Sequence, residues 1–182
     1  MYGMIHQAAR EMIHDLHGPA AWADILRKSG LGDESFISAQ HYSDEQTLNL
    51  INAISVSTGK DIDAVLEEFG GYWINFTEAS SFAGIMRMAG DNLFSFIGNL
   101  DRLHASIKTS MNKAVTPSFE VIRSTETTVE VMYRSDRTGL APFVRGLFYG
   151  LLAHFGETGT VTHVDQEDGC LFTIDLQPDP AA

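Results

Sequence analysis

The chain has 182 residues, of which 44% are apolar, enough for one domain that buries a core without staples. Twelve Lys and Arg stand against 24 Asp and Glu, a formal charge of −12, and such a surface repels phosphate backbones and anionic membranes, which argues against nucleic acid as a partner. No stretch approaches the ~20 apolar residues of a membrane span, the start MYGMIHQAAREM lacks the apolar core of a signal peptide, and Cys170 is the only cysteine, so the expected setting is the cytoplasm, with no internal disulfide and no cysteine zinc site.

The first two-thirds of the chain reads as helical. Met4, Ile5, Ala8, Met12, Ile13 and Leu16 recur at helical spacing until Gly18-Pro19. Alanines and Trp22 open a second helix that runs to about Lys28, where Gly30 and Gly32 break the chain. Ser43 and Gln46 stand three apart, a capping-type start, ahead of a helix carrying Leu48, Leu50, Ile51 and Ile54. Around Asp61 another helix begins, with Ile62, Val65, Leu66 and Phe69 inward and Trp73 further along. Asp91 is the expected cap of the next. On it Leu93, Ile97, Leu100, His104, Ile107 and Met111 are spaced 4, 3, 4, 3, 4 and share one stripe, widened by Phe96 and Leu103.

After Pro117 the period changes to two. Phe119 and Val121, then Val129, Val131 and Tyr133, alternate with polar residues around a turn at 124–127. Thr160–Val164 and Leu171–Leu176 suggest a second hairpin turned at Glu167-Asp168-Gly169. Between the hairpins, GLAPFVRGLFYGLLAHFG (139–156) has Pro142 in a first helical turn and Gly156 as a C-terminal cap. The last residues, QPDPAA, read as a frayed end. The order implies an α+β chain: helices, then an antiparallel four-stranded sheet with a helix between its hairpins.

Two patterns can carry chemistry. His104 points where the core is, either as a buried histidine held by hydrogen bonds or as a metal ligand, since a neutral imidazole facing an apolar cavity suits a haem iron. Tyr133, Ser135 and Arg137 alternate in YRSDR (133–137). In an extended chain they present two hydroxyls and a guanidinium along one edge, either a polar strand edge or a carboxylate clamp. Haem needs both parts: a ligand for its iron and holders for its two propionates.

NLDRLH, Pro117 and Tyr133-x-Ser135-x-Arg137 together resemble the haem nitric oxide/oxygen binding (H-NOX) family, the haem sensor of soluble guanylate cyclase. MYGMI, FGGYWINFT (69–77) and GLAPFVRGLFYGL (139–151) resemble bacterial members, so the likeness covers the whole chain. It implies a single haem domain over 1–182, with an N-terminal helical subdomain (about 1–60), a sheet-bearing subdomain (about 61–182) and haem b buried between them. His104 is then the proximal iron ligand, and Tyr133, Ser135 and Arg137 hold the propionates. Pro117 and Ile5 press on the porphyrin and distort it. Asp44 matches an acid that in some members pairs with the propionate arginine. Phe143 and Leu147 are the expected haem-wall residues of their helix. Gly146 and Gly150, four apart, admit either the porphyrin or another helix at close range. Each residue also has a plainer reading: Pro117 as a helix breaker, Ile5 as core, Asp44 as a cap.

Where oxygen-binding members carry a distal tyrosine, this chain has Pro142, which has no donor. The pocket is therefore expected to favour nitric oxide and carbon monoxide over oxygen. Trp73 either brings its indole N–H to the distal side or anchors the core. Cys170 alone cannot build the cysteine zinc site of some members, so no zinc is expected. The resemblance implies a stand-alone gas sensor, not an enzyme. Nitric oxide weakens or breaks the bond from iron to His104, the subdomains move, and the output passes to a separate protein, a histidine kinase or a cyclic-di-GMP enzyme. The alternatives are a peroxidase- or oxygenase-like haem enzyme, which the distal set of Ile5, Trp73 and Phe143 disfavours because it holds no acid–base pair, and a haem-free interaction module with a structural His104.

Overall fold

The computed structural model describes residues 1–31, 36–111 and 113–177. The chain divides into two compact units, Met1–Phe69 and Gly70–Ala182. The expected break at Gly32 and the frayed end at 178–182 lie outside the described residues.

The first unit is helical. α1 (Gly3–His17) buries Met4, His6, Ala8, Ala9, Met12 and Ile13. It stops at Gly18, whose φ of 80° suits a residue without Cβ, and Pro19 starts α2 (Pro19–Ser29) with the fixed φ a first turn needs. α3 (Asp44–Thr58) opens on the capping box expected from the sequence. The Gln46 N–H donates to Ser43 Oγ at 3.1 Å, and the Ser43 N–H donates to Gln46 Oε1 at 2.9 Å. α4 (Ile62–Ala79) begins where Asp61 Oδ1 accepts the Ala64 N–H at 2.8 Å, and Val65, Leu66 and Phe69 of its first half are buried.

The second unit holds the rest of α4 and three short helices: α5 (Ala83–Ala89), α6 (Leu93–Gly98) and α7 (Leu100–Ser110). The periodicity does not distinguish α5. The single helix expected around His104 is two. Asn99 interrupts it with φ −104° and ψ 4°, and its side-chain amide donates to the Ala89 and Ser95 carbonyls, both at 2.9 Å. Gly98, a poor helix former, eases the break. The cap of α6 is Asn92 rather than Asp91, because Asn92 Oδ1 accepts the Ser95 N–H at 2.9 Å.

The strands are β1 (Ser118–Ser124), β2 (Thr128–Arg134), β3 (Gly159–Gln166) and β4 (Gly169–Leu176), with α8 (Ala141–His154) between the hairpins. The sheet order is β1-β2-β4-β3 and every pairing is antiparallel. Val129, Val131 and Tyr133 face the core from β2, as Phe172 and Ile174 do from β4. Phe148, Leu151 and Leu152 of α8 and Leu93, Phe96 and Ile97 of α6 complete that core.

α4 and α8 cross at glycines. A Cβ on Gly70 would stand 2.1 Å from the Phe143 carbonyl oxygen, and one on Gly150 would stand 2.9 Å from that of Gly71. Of the two readings of Gly150, the helix–helix contact is the one realised.

Candidate functional site

His104 sits one turn into α7. Its ring lies 5.6 Å from that of Phe119, the second residue of β1, and Phe119 stacks 5.2 Å from Tyr133, its register partner on β2. Nδ1 of His104 is buried and has no hydrogen-bond partner within ordinary geometry among the described residues. Burial lowers the imidazole pKa, with Asp101 and the Pro117 carbonyl acting the other way, so the neutral ring is favoured. His6 also leaves its Nδ1 without a partner among the described residues, so this feature alone does not separate a ligand from a core histidine. With the Pro117 backbone acting on the ring as a hydrogen-bond partner, a neutral imidazole can hold one nitrogen toward the backbone and offer the other to a ligand.

Tyr133 is 5% exposed and packs edge-on to Phe172 at 6.2 Å. Burial raises its phenol pKa, and a hydrogen bond with Ser135 and the charge of Arg137 oppose that rise. The clamp residues are therefore neighbours, but strand alternation does not place them. β2 ends at Arg134, because β1 begins only after Pro117, which has no N–H to extend the ladder. Ser135 and Arg137 stand instead on a bend. There the Arg137 N–H donates to Ser135 Oγ at 3.1 Å, and the Arg137 guanidinium donates to the Val115 carbonyl at 3.0 Å. Arg134 points away, paired with Glu120 and Asp168 on the outer face at 2.8 Å each.

The second unit thus gathers His104, Pro117, Tyr133, Ser135 and Arg137 around Phe119 and the segment before it. This set offers a neutral imidazole, two hydroxyls and a guanidinium, which are the groups an iron porphyrin with two carboxylates requires. Trp73 and Leu147 are half-buried against the same core, and Trp73 lies 5.7 Å from Phe76. Phe143 opens α8, with its carbonyl over Gly70. Pro142 stands beside it in the first turn.

Ile5 belongs to the first unit. There it lines a small cavity with His6, Met12, Leu50, Val65 and Phe69 among others. Asp44 is also in that unit, and its carboxylate accepts from the Met1 amino group at 3.1 Å. His14 and His17 are exposed. The Cys170 thiol is pushed up to about 11 by burial and by Asp165, to which it donates at 3.1 Å, so it is an inert thiol.

Sequence reasoning passes over two residues. His6 carries no motif, yet it is fully buried, with Nε2 2.9 Å from Thr47 Oγ1 and an orphaned Nδ1. Its spacing of 3 and 7 from Ala9 and Ile13 is a usable signal. Asp101 stands out in the sequence only as part of NLDRLH, but it bonds both residues that open β1. No local pattern announces a partner 17 or 18 residues away.

Comparison with known proteins places these residues in a family context. A family model described as Haem-NO-binding matches residues 2–163. Soluble guanylate cyclase gcy-35 of Caenorhabditis elegans is 31% identical over 170 residues, covering 91% of this chain and 25% of that protein. Soluble guanylate cyclase 89Db of Drosophila melanogaster is 25% identical over 158 residues, covering 83% and 24%. The chain therefore spans about a quarter of the length of these relatives. The fold is similar to that of an H-NOX protein from S. oneidensis in the Fe(II)NO ligation state, with TM-score 0.86 at 21% identity over 98% of this chain and 100% of that one. Fe(II) unliganded H-NOX protein from K. algicida gives TM-score 0.83 at 21% identity over 99% and 98%. The α+β architecture expected from the sequence is the architecture of these structures. Among the described residues no helix is long and apolar enough to cross a membrane.

Proposed function

Since the chain belongs to the haem-NO-binding family, we propose that it is a gas sensor that holds haem b and reports nitric oxide, and carbon monoxide, to a separate protein. The observation that carries this reading is the neutral, half-buried imidazole of His104 in the same unit as the neighbouring Tyr133, Ser135 and Arg137. Bound haem supplies a ferrous iron that takes a diatomic gas.

The chain supplies the rest. His104, kept neutral by burial, is the proximal ligand. Tyr133, Ser135 and Arg137 hold the two propionates, and Arg137 provides the fixed charge. Pro117 and Ile5 press on the porphyrin, and Trp73, Phe143 and Leu147 form its walls. Pro142 has no N–H or O–H to donate to a bound gas. That omission would disfavour dioxygen, which needs a hydrogen-bond donor, more than nitric oxide or carbon monoxide.

The signal is the release of His104. Every described side chain of α7 is half-buried or exposed, with Leu100 and Leu103 against the edge of the core, so the helix can shift once the tether is lost. Its displacement, with movement of the helical subdomain (about 1–60) against the sheet subdomain (about 61–182), is the output to a histidine kinase or a cyclic-di-GMP enzyme in the cytoplasm. The chain itself acts as a sensor and not as an enzyme.

Absorption spectra of the reduced protein alone and with oxygen, carbon monoxide and nitric oxide test the reading. A five-coordinate ferrous spectrum, adducts with the last two gases and no stable oxygen adduct are expected. His104→Gly should lose haem and regain it when imidazole is supplied. A stable oxygen adduct would refute the role given to Pro142, and no Soret band after haem reconstitution would refute the sensor itself.

A further inference from the structure

The inner face of the sheet is covered: Val131, Phe172 and Ile174 meet α6 and α8 there. An antiparallel sheet with its other face in water should be polar on that face. One row of the outer face is not. Met132 of β2 pairs with Leu171 of β4, and Leu171 pairs with Val164 of β3. Met132 stands between the buried Val131 and Tyr133, so alternation turns it outward, and its register partners with it. Beside the row, Ile122 follows the core-packed Val121 at the irregularity in β1. Val164 is 62% exposed and Ile122 is 51% exposed.

Single exposed apolar residues are ordinary on a protein surface. Here all four strands place one on the same face, side by side, and such a band marks an interaction surface. Its border is mainly acidic. Glu120 is the register partner of Met132, Glu130 lies two residues before it, and Asp165, Glu167 and Asp168 come soon after Val164. Arg134, on the same face, is already paired with Glu120 and Asp168, and Arg123 stands opposite Glu130. The whole chain carries −12. A second copy would bring a like-charged border against this one, and an anionic lipid surface would be repelled in the same way. The border complements Lys and Arg. Neighbouring strands lie about 4.8 Å apart, and residues three or four apart on a helix lie about 5–6 Å apart. A helix laid across the strands can therefore set one apolar side chain near each of them.

We propose that the outer face of the sheet, at Ile122, Met132, Leu171 and Val164, docks an amphipathic helix of another protein whose apolar stripe is bordered by Lys or Arg. The proposal does not depend on the gas-sensor reading. The band and the clamp share β2 on opposite faces, Met132 outward and Tyr133 inward.

The test titrates the full chain with a synthetic helical peptide of about 15 residues, a leucine stripe bordered by lysines, and with the same peptide bordered by glutamates. Backbone amide shifts map the contact. Shifts centred on Met132, Val164 and Leu171 are expected, with the glutamate-bordered peptide binding at least about tenfold more weakly. Ile122→Thr combined with Val164→Thr keeps β-branched strand formers and removes apolar surface. It should melt near the parent and bind the lysine-bordered peptide about tenfold more weakly or worse. If the variant does not fold, the shift map on the parent decides. No binding, equal affinity for the two peptides, shifts elsewhere, or full affinity in a folded variant overturns the proposal. So does a parent dimer in sedimentation that the variant loses, which assigns the face to a second copy. Uptake by phosphatidylcholine vesicles that the variant loses assigns it to lipid and overturns the proposal as well.

Discussion

Acidification should destabilise the protein through His6. The side chain is fully buried on α1, its ring 4.7 Å from that of Phe36 and 4.9 Å from that of Tyr42, with Nε2 hydrogen-bonded to Thr47 Oγ1. Burial, together with the nearby N-terminal charge, lowers its pKa from 6.5 to about 4. The folded state thus resists a proton that the unfolded state accepts. Above pH 6.5 both states are neutral and the full stability is present. As pH falls from 6.5 toward 4, only the unfolded chain takes up the proton, and stability is lost across that window. Each tenfold weakening of proton binding in the folded state costs about 1.4 kcal/mol, so the loss approaches about 3 kcal/mol, a large share of the roughly 5–15 kcal/mol that holds a domain together.

The assay is urea denaturation at several pH values between 4 and 8, on the parent and on His6→Gln at matched haem content. Gln keeps a donor for Thr47 and does not titrate. The difference between the two proteins cancels the carboxylates and the other histidines. It should grow steeply below pH 6.5. Histidine NMR should find His6 titrating near pH 4. A normal titration midpoint for His6, or parallel stability curves for the two proteins, would show that the burial argument is wrong.

Two further substitutions separate fold from function. Tyr133→Phe keeps the ring against Phe119 and Phe172 and removes only the hydroxyl. Stability should change by no more than about 1.5 kcal/mol, while haem leaves faster when apomyoglobin is supplied as a trap; an unchanged rate of haem loss removes Tyr133 from the clamp. Gly70→Ala places a methyl group 2.1 Å from the Phe143 carbonyl oxygen and 2.8 Å from the Leu147 nitrogen. Backbone atoms cannot swing aside, so α4 and α8 must separate at a cost of about 3 kcal/mol or more. A melting temperature equal to the parent's would contradict the close crossing.

Much of the fold was legible because its signals are local. Gly18-Pro19 stops one helix and starts another within two residues, and the Ser43–Gln46 box spans a single turn. The two hairpins follow from alternation and short turns. What failed to show in the sequence depends on distant partners. Leu93 to Met111 keep one stripe on paper, yet Asn99 breaks the helix by bonding the Ala89 carbonyl ten residues back. Asp91 and Asn92 are equal candidates as caps until the Ser95 N–H selects one.

The site divides in the same way. By itself the sequence determined that His104 faces inward, that Pro117 separates helices from strands, and that Tyr133, Ser135 and Arg137 come in a fixed rhythm. Those properties follow from helical and extended geometry within a few residues. Only the tertiary structure decided that the His104 ring lies against Phe119 and is kept neutral by burial, since burial is defined by everything packed around it. It also decided that Ser135 and Arg137 sit on a bend after β2 ends, and that Asp101 ties α7 to β1. A hydrogen bond between residues 17 or 18 positions apart exists only once the chain has closed the loop between them, and no spacing rule encodes it.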